Sequence, residues 1–430
     1  MKKNLLFMLG LAMCGLCACS GESGMDIVTG AASNATRSGE GDAPAVVTDS
    51  VVYSDGSAAW VYATLTSNGS SAIKNRGVVF SYDVNDPKLG VDGCRSRRTS
   101  VDTLNTFSVN MIALSIGKTY YVRAYAINSS DTAYGNVLSF TTKEKEYTYP
   151  TIKTLPVRNV VKYAAIAYGQ LLTKGDATIK SYGLCLSTSP CPTVKDNYIA
   201  CPNMASDTGF EGQFGAFFDN LTPNTLYHIR ACIVANDSTI YGQDRIFRTA
   251  NGGFVTWEWV NWINGDEKLG EGTLYPVINA NIITAISYYN NYTTLTHHER
   301  LNYSPNYGTT ADSNINGWVR LCSQYSARTV EHEFAHTMGV GTASNWAGMF
   351  NGSSIWTGQV AQQTLRAIYK DQTLNVKRSG IHFWPCGLNY DSEVTSGETN
   401  NLGVTFKGAT VLKANAMIVN GMRIDGMTSY

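Results

Sequence analysis

The chain has 430 residues, 43% of them hydrophobic, and its 33 Lys and Arg are balanced by 33 Asp and Glu. That much apolar material excludes disorder as the dominant state, and zero net charge excludes the basic face that nucleic-acid binding or a polybasic membrane surface requires. The length predicts about three domains, and with only 15% charged residues the polar surface falls to Ser, Thr, Asn, Gly and 25 Tyr, a mix suited to β-rich extracellular modules.

In chain order, Lys2 and Lys3 form a short positive start, followed by an apolar run from Leu5 to Cys17. That run is too short to span a bilayer and reads as the core of a signal peptide. It ends in Leu16-Cys17-Ala18-Cys19, which resembles a bacterial lipobox. The resemblance implies a signal peptide over 1–18, cleavage before Cys19, and a diacylglyceryl chain on the Cys19 sulfur. The alternative is ordinary cleavage after Ala18 without lipid. The expected location is the bacterial outer membrane or cell surface, with membrane contact through the anchor only. Residues 19–43 are rich in small and polar side chains and read as a flexible tether.

Seven cysteines remain beyond Cys19, and four of them (Cys185, Cys191, Cys201, Cys232) crowd one stretch. Export permits disulfides. Cys191 with Cys201, Cys185 with Cys232, and Cys322 with Cys386 are candidate pairs, and Cys94 is the candidate odd thiol; free buried thiols are the competing reading.

The middle of the chain is a tandem repeat. Ile73-Lys74-Asn75-Arg76-Gly77-Val78-Val79-Phe80-Ser81 returns as Ile179-Lys180-Ser181-Tyr182-Gly183-Leu184-Cys185-Leu186-Ser187, an offset of 106. Tyr120-Tyr121-Val122-Arg123-Ala124 returns as Tyr227-His228-Ile229-Arg230-Ala231, an offset of 107. Period-two alternation with frequent turn signals predicts a β-sandwich in each copy. The Tyr-x-(Val/Ile)-Arg-Ala segments, the following Tyr-Gly pairs and the closing Phe140 and Phe247 resemble bacterial fibronectin type III modules, over 44–143 and 149–249. The resemblance implies spacer or adhesion units. Neither copy carries a cluster of titratable groups, and His228 is expected to be a satisfied or surface histidine.

Five of the six histidines lie after Asn251-Gly252-Gly253, in the segment 254–430. The central signal is His332-Glu333-Phe334-Ala335-His336. Ser326 is a good N-cap for a helix over Ala327–Met338, and Gly339 suits the position just past its end. On such a helix His332 and His336 stack on one face and can share a metal ion, with zinc favoured for paired imidazoles. Glu333 then stands beside the metal and can take a proton from its water.

The third ligand is decided by elimination. No Asp or Glu occurs from Thr337 to Lys370, so the helix near Thr357–Tyr369 cannot supply one. Thr342 offers only a neutral hydroxyl. His382, in Gly380-Ile381-His382-Phe383-Trp384-Pro385, is the remaining downstream histidine. Asp371, Asp391 and Glu393 are the other candidates; Asp371 reads more simply as a solvated charge, and the last two as groups that could orient an imidazole.

His332, Glu333, His336 and Gly339 match the opening of the metzincin motif, with Thr342 where that motif carries its third ligand. A third histidine after a long insertion resembles the leishmanolysin-like arrangement. The segments Gly317–Arg320, His332–Thr342 and His382–Tyr390 also resemble a group of secreted bacterial zincin-like proteins. The resemblance covers about 254–430 and implies an α+β zincin-type metallopeptidase domain. A Tyr shortly after the third histidine approaches zinc in some metzincins, which makes Tyr390 a candidate oxyanion partner. Asn316–Leu321 is the candidate edge strand for an extended peptide. His297 and His298 are adjacent and should point to opposite faces of a strand, which disfavours a second metal site.

The expected protein is a monomeric surface lipoprotein: tether, two sandwiches and a Zn2+ endopeptidase acting on a protein or peptide, with host or surface glycoproteins among the candidates. The rival is a non-catalytic adhesin or glycan-binding lipoprotein that keeps the zincin fold.

Overall fold

A computed structural model describes residues 26–29, 42–53, 56–101, 105–262, 270 and 272–428. The leader, Cys19 and most of the expected tether lie outside the described residues. Within that tether, Asp26–Thr29 is a strand rather than a linker. It pairs antiparallel with residues 50–53, and Val28 packs on the first core.

The chain forms two compact units, 1–146 and 147–430. The first holds a β-sandwich. One sheet runs Asp26–Thr29, Ala45–Tyr53, Ala59–Ser67, Thr106–Met111. The other runs Arg95–Thr99, Asn75–Ser81, Thr119–Ile127, with Thr132–Tyr134 and Leu138–Thr141 both paired to the last. Inward residues such as Val61, Val78, Tyr120 and Val122 alternate with exposed ones and fill the space between the sheets.

The second unit opens with the same topology. Thr151–Thr154, Ala165–Thr173 and Gln213–Phe218 face Asn197–Ala200, Ile179–Ser187, Leu226–Ala235, Ser238–Tyr241 and Arg245–Arg248. The sequence repeat is a repeat of contacts. Tyr120 and Tyr227 stack on Phe140 and Phe247, with ring centroids 5.9 and 5.7 Å apart. Their hydroxyls accept hydrogen bonds from Ser115 N at 2.9 Å and Thr222 N at 3.0 Å, each five residues back; such a tyrosine corner is a hallmark of sandwiches with Greek-key connections. Arg123 Nε donates to Gly135 O at 2.9 Å, and Arg230 Nε to Gly242 O at 3.0 Å. Gly77 and Gly183 recur because a Cβ there would lie 2.0 Å from Arg97 O and 2.2 Å from Ile199 O of the paired strand.

The described cysteines are all free thiols. Cys185 and Cys232 face each other with sulfurs 3.4 Å apart, whereas Cys191 is exposed and Cys201 is buried against Gly215 O. Cys386 points at Tyr369 and Glu398, so the candidate pairing with Cys322 is not formed.

After the sandwich, Phe254–Trp262, Thr296–Tyr303, Trp318–Leu321 and Asp312–Ser313 form a mixed sheet in that spatial order. The first three strands are parallel and the last is antiparallel. Helix α1 (Leu274–Tyr292) supplies the crossover between the first two strands. It buries Ile278, Ile282, Ala285 and Tyr289, a stripe at helical spacing. Helices α2 (Ala327–Thr337), α3 (Gln359–Ile368), α4 (Asp391–Thr395) and α5 (Ala409–Ile424) complete the domain. Among the described residues no helix is long and apolar enough to cross a membrane.

The junction at Asn251-Gly252-Gly253 does not decouple the second sandwich from the C-terminal domain. Val161, Ala164, Ile166 and Tyr168 belong to the same core as α1, α2, α3 and α5. Polar groups cross the boundary as well. Asn159 Nδ2 donates to Thr364 Oγ1 and Met417 O at 2.8 Å each, and its Oδ1 accepts from Asn420 at 2.6 Å. Tyr168 OH donates to Gln363 O at 2.9 Å and lies 3.1 Å from Gln372 Oε1. Arg366 pairs with Asp207 at 2.9 Å, and Lys413 with Asp219 at 2.6 Å. The buried members, Asn159, Tyr168 and Arg366, lose water on folding and meet these partners only when both parts are present. The first sandwich shows the contrast: Trp60 and Tyr62, the counterparts of Ile166 and Tyr168 at the 106-residue offset, are 46% and 43% exposed, against 2% and 3%.

A fragment starting at Phe254 is therefore expected to lack a cooperative melting transition, while residues 147–430 melt as one unit in differential scanning calorimetry. Tyr168→Phe should cost about 1–3 kcal/mol, because Gln363 O is left buried without its donor; an unchanged melting midpoint would contradict this role for the boundary.

Candidate metal centre

Helix α2 begins as its sequence dictates. The Ser326 side chain accepts from Thr329 N at 3.2 Å, and Gly339, at φ +115°, ends the helix in a conformation that disfavours other residues. One side of α2 presents Val330 and Phe334 to the core. The other presents His332 to a cleft of about 700 Å³, with His336 buried one turn further along.

His382 reaches the same point from a hairpin of Lys377–Ser379 and His382–Trp384. The three imidazole centroids lie 4.9, 5.0 and 5.1 Å apart, a nearly equilateral triangle. Their ligand-capable nitrogens all fall within 4.8 Å of one another, the one such His, Cys, Asp or Glu group among the described residues.

Backbone carbonyls orient two of the rings. His332 Nδ1 is 2.7 Å from Gly387 O, and His336 Nδ1 is 2.7 Å from Val340 O. A carbonyl oxygen only accepts, so each Nδ1 carries the proton and each Nε2 keeps its lone pair for the shared point. Burial, with repulsion from the neighbouring imidazoles, pushes His332 down to about 3 and His336 down to about 4; burial also lowers His382. All three are neutral near pH 7, the state a metal ligand needs. Three neutral nitrogens with an open fourth side fit a catalytic rather than a structural metal ion.

Glu333 lies in the same cleft. Ser313 Oγ is 2.7 Å from Glu333 Oε2 and 2.9 Å from Glu333 O, so one hydroxyl meets both the carboxylate and the backbone of this residue. Burial raises the Glu333 carboxyl to about 7, against the opposing Ser313 hydrogen bond. Ser313 has no signature in the sequence. It stands 20 residues before Glu333, on the two-residue strand at the sheet's edge. That strand, not Asn316–Leu321, is the open edge: Trp318–Leu321 is paired on both sides, a turn through Gly317 at φ +77° folds Asp312–Ser313 back onto it, and Thr310 and Ala311 just before the strand line the cleft.

Thr342 makes no approach to a ligand position; its hydroxyl donates to His336 O at the helix end. Tyr390 lines the cleft with its side chain largely exposed. Glu393 accepts from Leu388 N and Tyr390 N at 2.9 Å each, and thereby fixes the loop that carries Gly387 O. Asp391 pairs with Arg328 at 2.7 Å. Asp371 is buried rather than solvated, with hydrogen bonds from Asn203 at 3.1 Å and Thr373 Oγ1 at 2.7 Å. His297 and His298 separate as expected, the first to Glu299 and the second to Thr256. His228 bonds Asp244 at 2.8 Å.

Comparisons with known proteins place little beside this site. No family model and no curated protein matches the chain. Among solved structures it is similar to the FN1–FN3 domains of chicken CNTN1, with 14% identity over 49% of this chain and 69% of that one, at a TM-score of 0.20. It is also similar to the sensor domain of the anti-sigma factor RsgI4 in Pseudobacteroides cellulosolvens, with 13% identity over 24% of this chain and 96% of that one, at a TM-score of 0.18. At these TM-scores the fold rests on the strand order and contacts described above.

His382→Ala is expected to weaken metal binding at least ~100-fold, since a tetrahedral site loses one of three protein ligands, while Thr342→Ala keeps the metal content of the parent in elemental analysis. Gly341→Ala tests the close approach of the hairpin: a Cβ at residue 341 would lie 2.2 Å from Ile381 O and must displace the strand that bears His382. Glu393→Ala should lower metal affinity by about 10–100-fold through the loosened Gly387 carbonyl; parent-like affinity in both would separate these loops from the site.

Proposed function

We propose that the protein is an exported, lipid-anchored zinc endopeptidase with two fibronectin type III-like sandwiches and a zincin-type C-terminal domain. The observation that carries this reading is Glu333: a carboxyl group held by Ser313 in the cleft onto which the three imidazoles converge. A site that merely stored a metal for stability has no use for such a base.

His332, His336 and His382 would hold the zinc, which when bound supplies Lewis acidity toward a carbonyl and makes a water a better nucleophile at neutral pH. The chain's own residues do the rest. The Glu333 carboxylate, anchored through Oε2 by Ser313, accepts the proton of the attacking water and returns it to the leaving amine. Ser313 keeps the carboxylate from rotating away, so little reorganisation is needed when it acts. Asp312–Ser313, at the open edge of the sheet, offers backbone groups to an extended substrate. Tyr390, at the cleft wall, would donate its hydroxyl to the oxyanion.

Glu333→Gln should retain a full complement of metal yet lower the turnover of any peptide cleaved by the parent by at least ~100-fold. A peptide-library digest with parent and variant, alongside metal analysis, checks this; comparable cleavage by both would remove Glu333 from the mechanism.

A further inference from the structure

The hairpin that carries His382 also carries a cation, Lys377, that no carboxylate among the described residues pairs with. In its register Ser379 faces His382 and Lys377 faces Trp384. Side chains two residues apart on a strand share a face. Lys377, Ser379, His382 and Trp384 therefore form one row, and all four line the cleft. The pair Lys377–Trp384 stands about 7 Å along the strand from the pair that holds the ligand. Lys377 and Trp384 also line a second cavity of about 350 Å³, so the two residues stand where the cleft continues past the metal centre.

The charges around this row do not cancel. Arg328 is already taken by Asp391 and Leu388 O. Glu398, the carboxylate of the second cavity, is turned inward, accepting from Cys386 N at 3.0 Å and Tyr369 OH at 2.7 Å. Among the described residues no carboxylate is paired with Lys377, which is exposed, and neighbouring Arg378 lies over the Phe350 ring. The cleft thus presents an unneutralised ammonium group beside an exposed indole, one side-chain repeat from the ligand.

Resting on the hydrolase reading above, we infer that the cleft selects peptides with an anionic side chain, Asp or Glu, within two residues of the bond to be cut, and that Lys377 is the residue that reads it. An extended chain advances about 3.3 Å per residue, so a side chain two residues from the scissile carbonyl arrives where Lys377 stands. Trp384 supplies an apolar wall for the methylenes of that side chain. A nearby low-dielectric wall strengthens the attraction relative to a pair in open water.

The test uses the zinc-loaded full chain and two fluorescent peptide libraries that differ only in Asp and Glu against Asn and Gln. Binding is read by anisotropy on the Glu333→Gln protein, and cleavage on the parent. The acidic library is expected to bind about fivefold more tightly, the size of an exposed ion pair worth about 1 kcal/mol. Lys377→Ala should erase that difference, and Lys377→Glu should shift preference to a Lys-containing library. Lys377 is exposed, so neither change threatens the fold. Equal binding of both libraries, no binding at all, or an acidic preference that survives Lys377→Ala overturns the inference. Acidic preference in binding without cleavage by the parent would instead defeat the hydrolase reading and leave anion recognition standing.

Discussion

Two carbonyl oxygens govern the metal centre. An imidazole can coordinate through either nitrogen, and nothing in a His-x-x-x-His spacing says which. Here Gly387 O and Val340 O each occupy an Nδ1, so the lone pairs of His332 and His336 can only point at the cleft. Those oxygens are placed by tight backbone turns. Val340 follows Gly339 at φ +115°, and a Cβ at Gly387 would lie 2.1 Å from Phe383 O. The site therefore depends on close packing of main chain on main chain, which glycine permits and any larger residue disrupts.

The same constraint explains the two-sided character of α2. Its two histidines lie on one side, while Val330 and Phe334 are fixed in the core on the other. Glu331, fully buried between these demands, is held well above the usual carboxylate range by burial alone. On the far side Thr337 bonds Glu299 at 2.8 Å, tying the end of the helix to the sheet. A helix anchored at both ends and on its apolar face cannot swing its histidines apart.

Much of this site is legible in the residues alone. The i, i+4 histidines, the Ser326 cap and the Gly339 stop are local features, and local features follow from spacing. His382 is reachable because histidine is scarce and the stretch from Thr337 to Lys370 holds no carboxylate. The sandwich repeat shows in alternation and in Tyr120 and Tyr227. Ser313 is not legible, because a lone serine in a turn-rich loop has no pattern. The true edge strand is two residues long, below the reach of any periodicity. The fusion of the second sandwich to the C-terminal domain is hidden for a different reason. Asn159, Gln213 and Gln363 are polar, and polar residues buried against one another look like surface in a sequence.

That fusion gives the two copies of one module unequal freedom. The copy whose Ile166 and Tyr168 are sealed into the larger unit shares its core with the helix that carries His332 and His336. The first copy keeps its own core, and Trp60 and Tyr62 stay in contact with solvent. A cut near residue 146 therefore falls between two cores, whereas a cut near Gly252 would divide one.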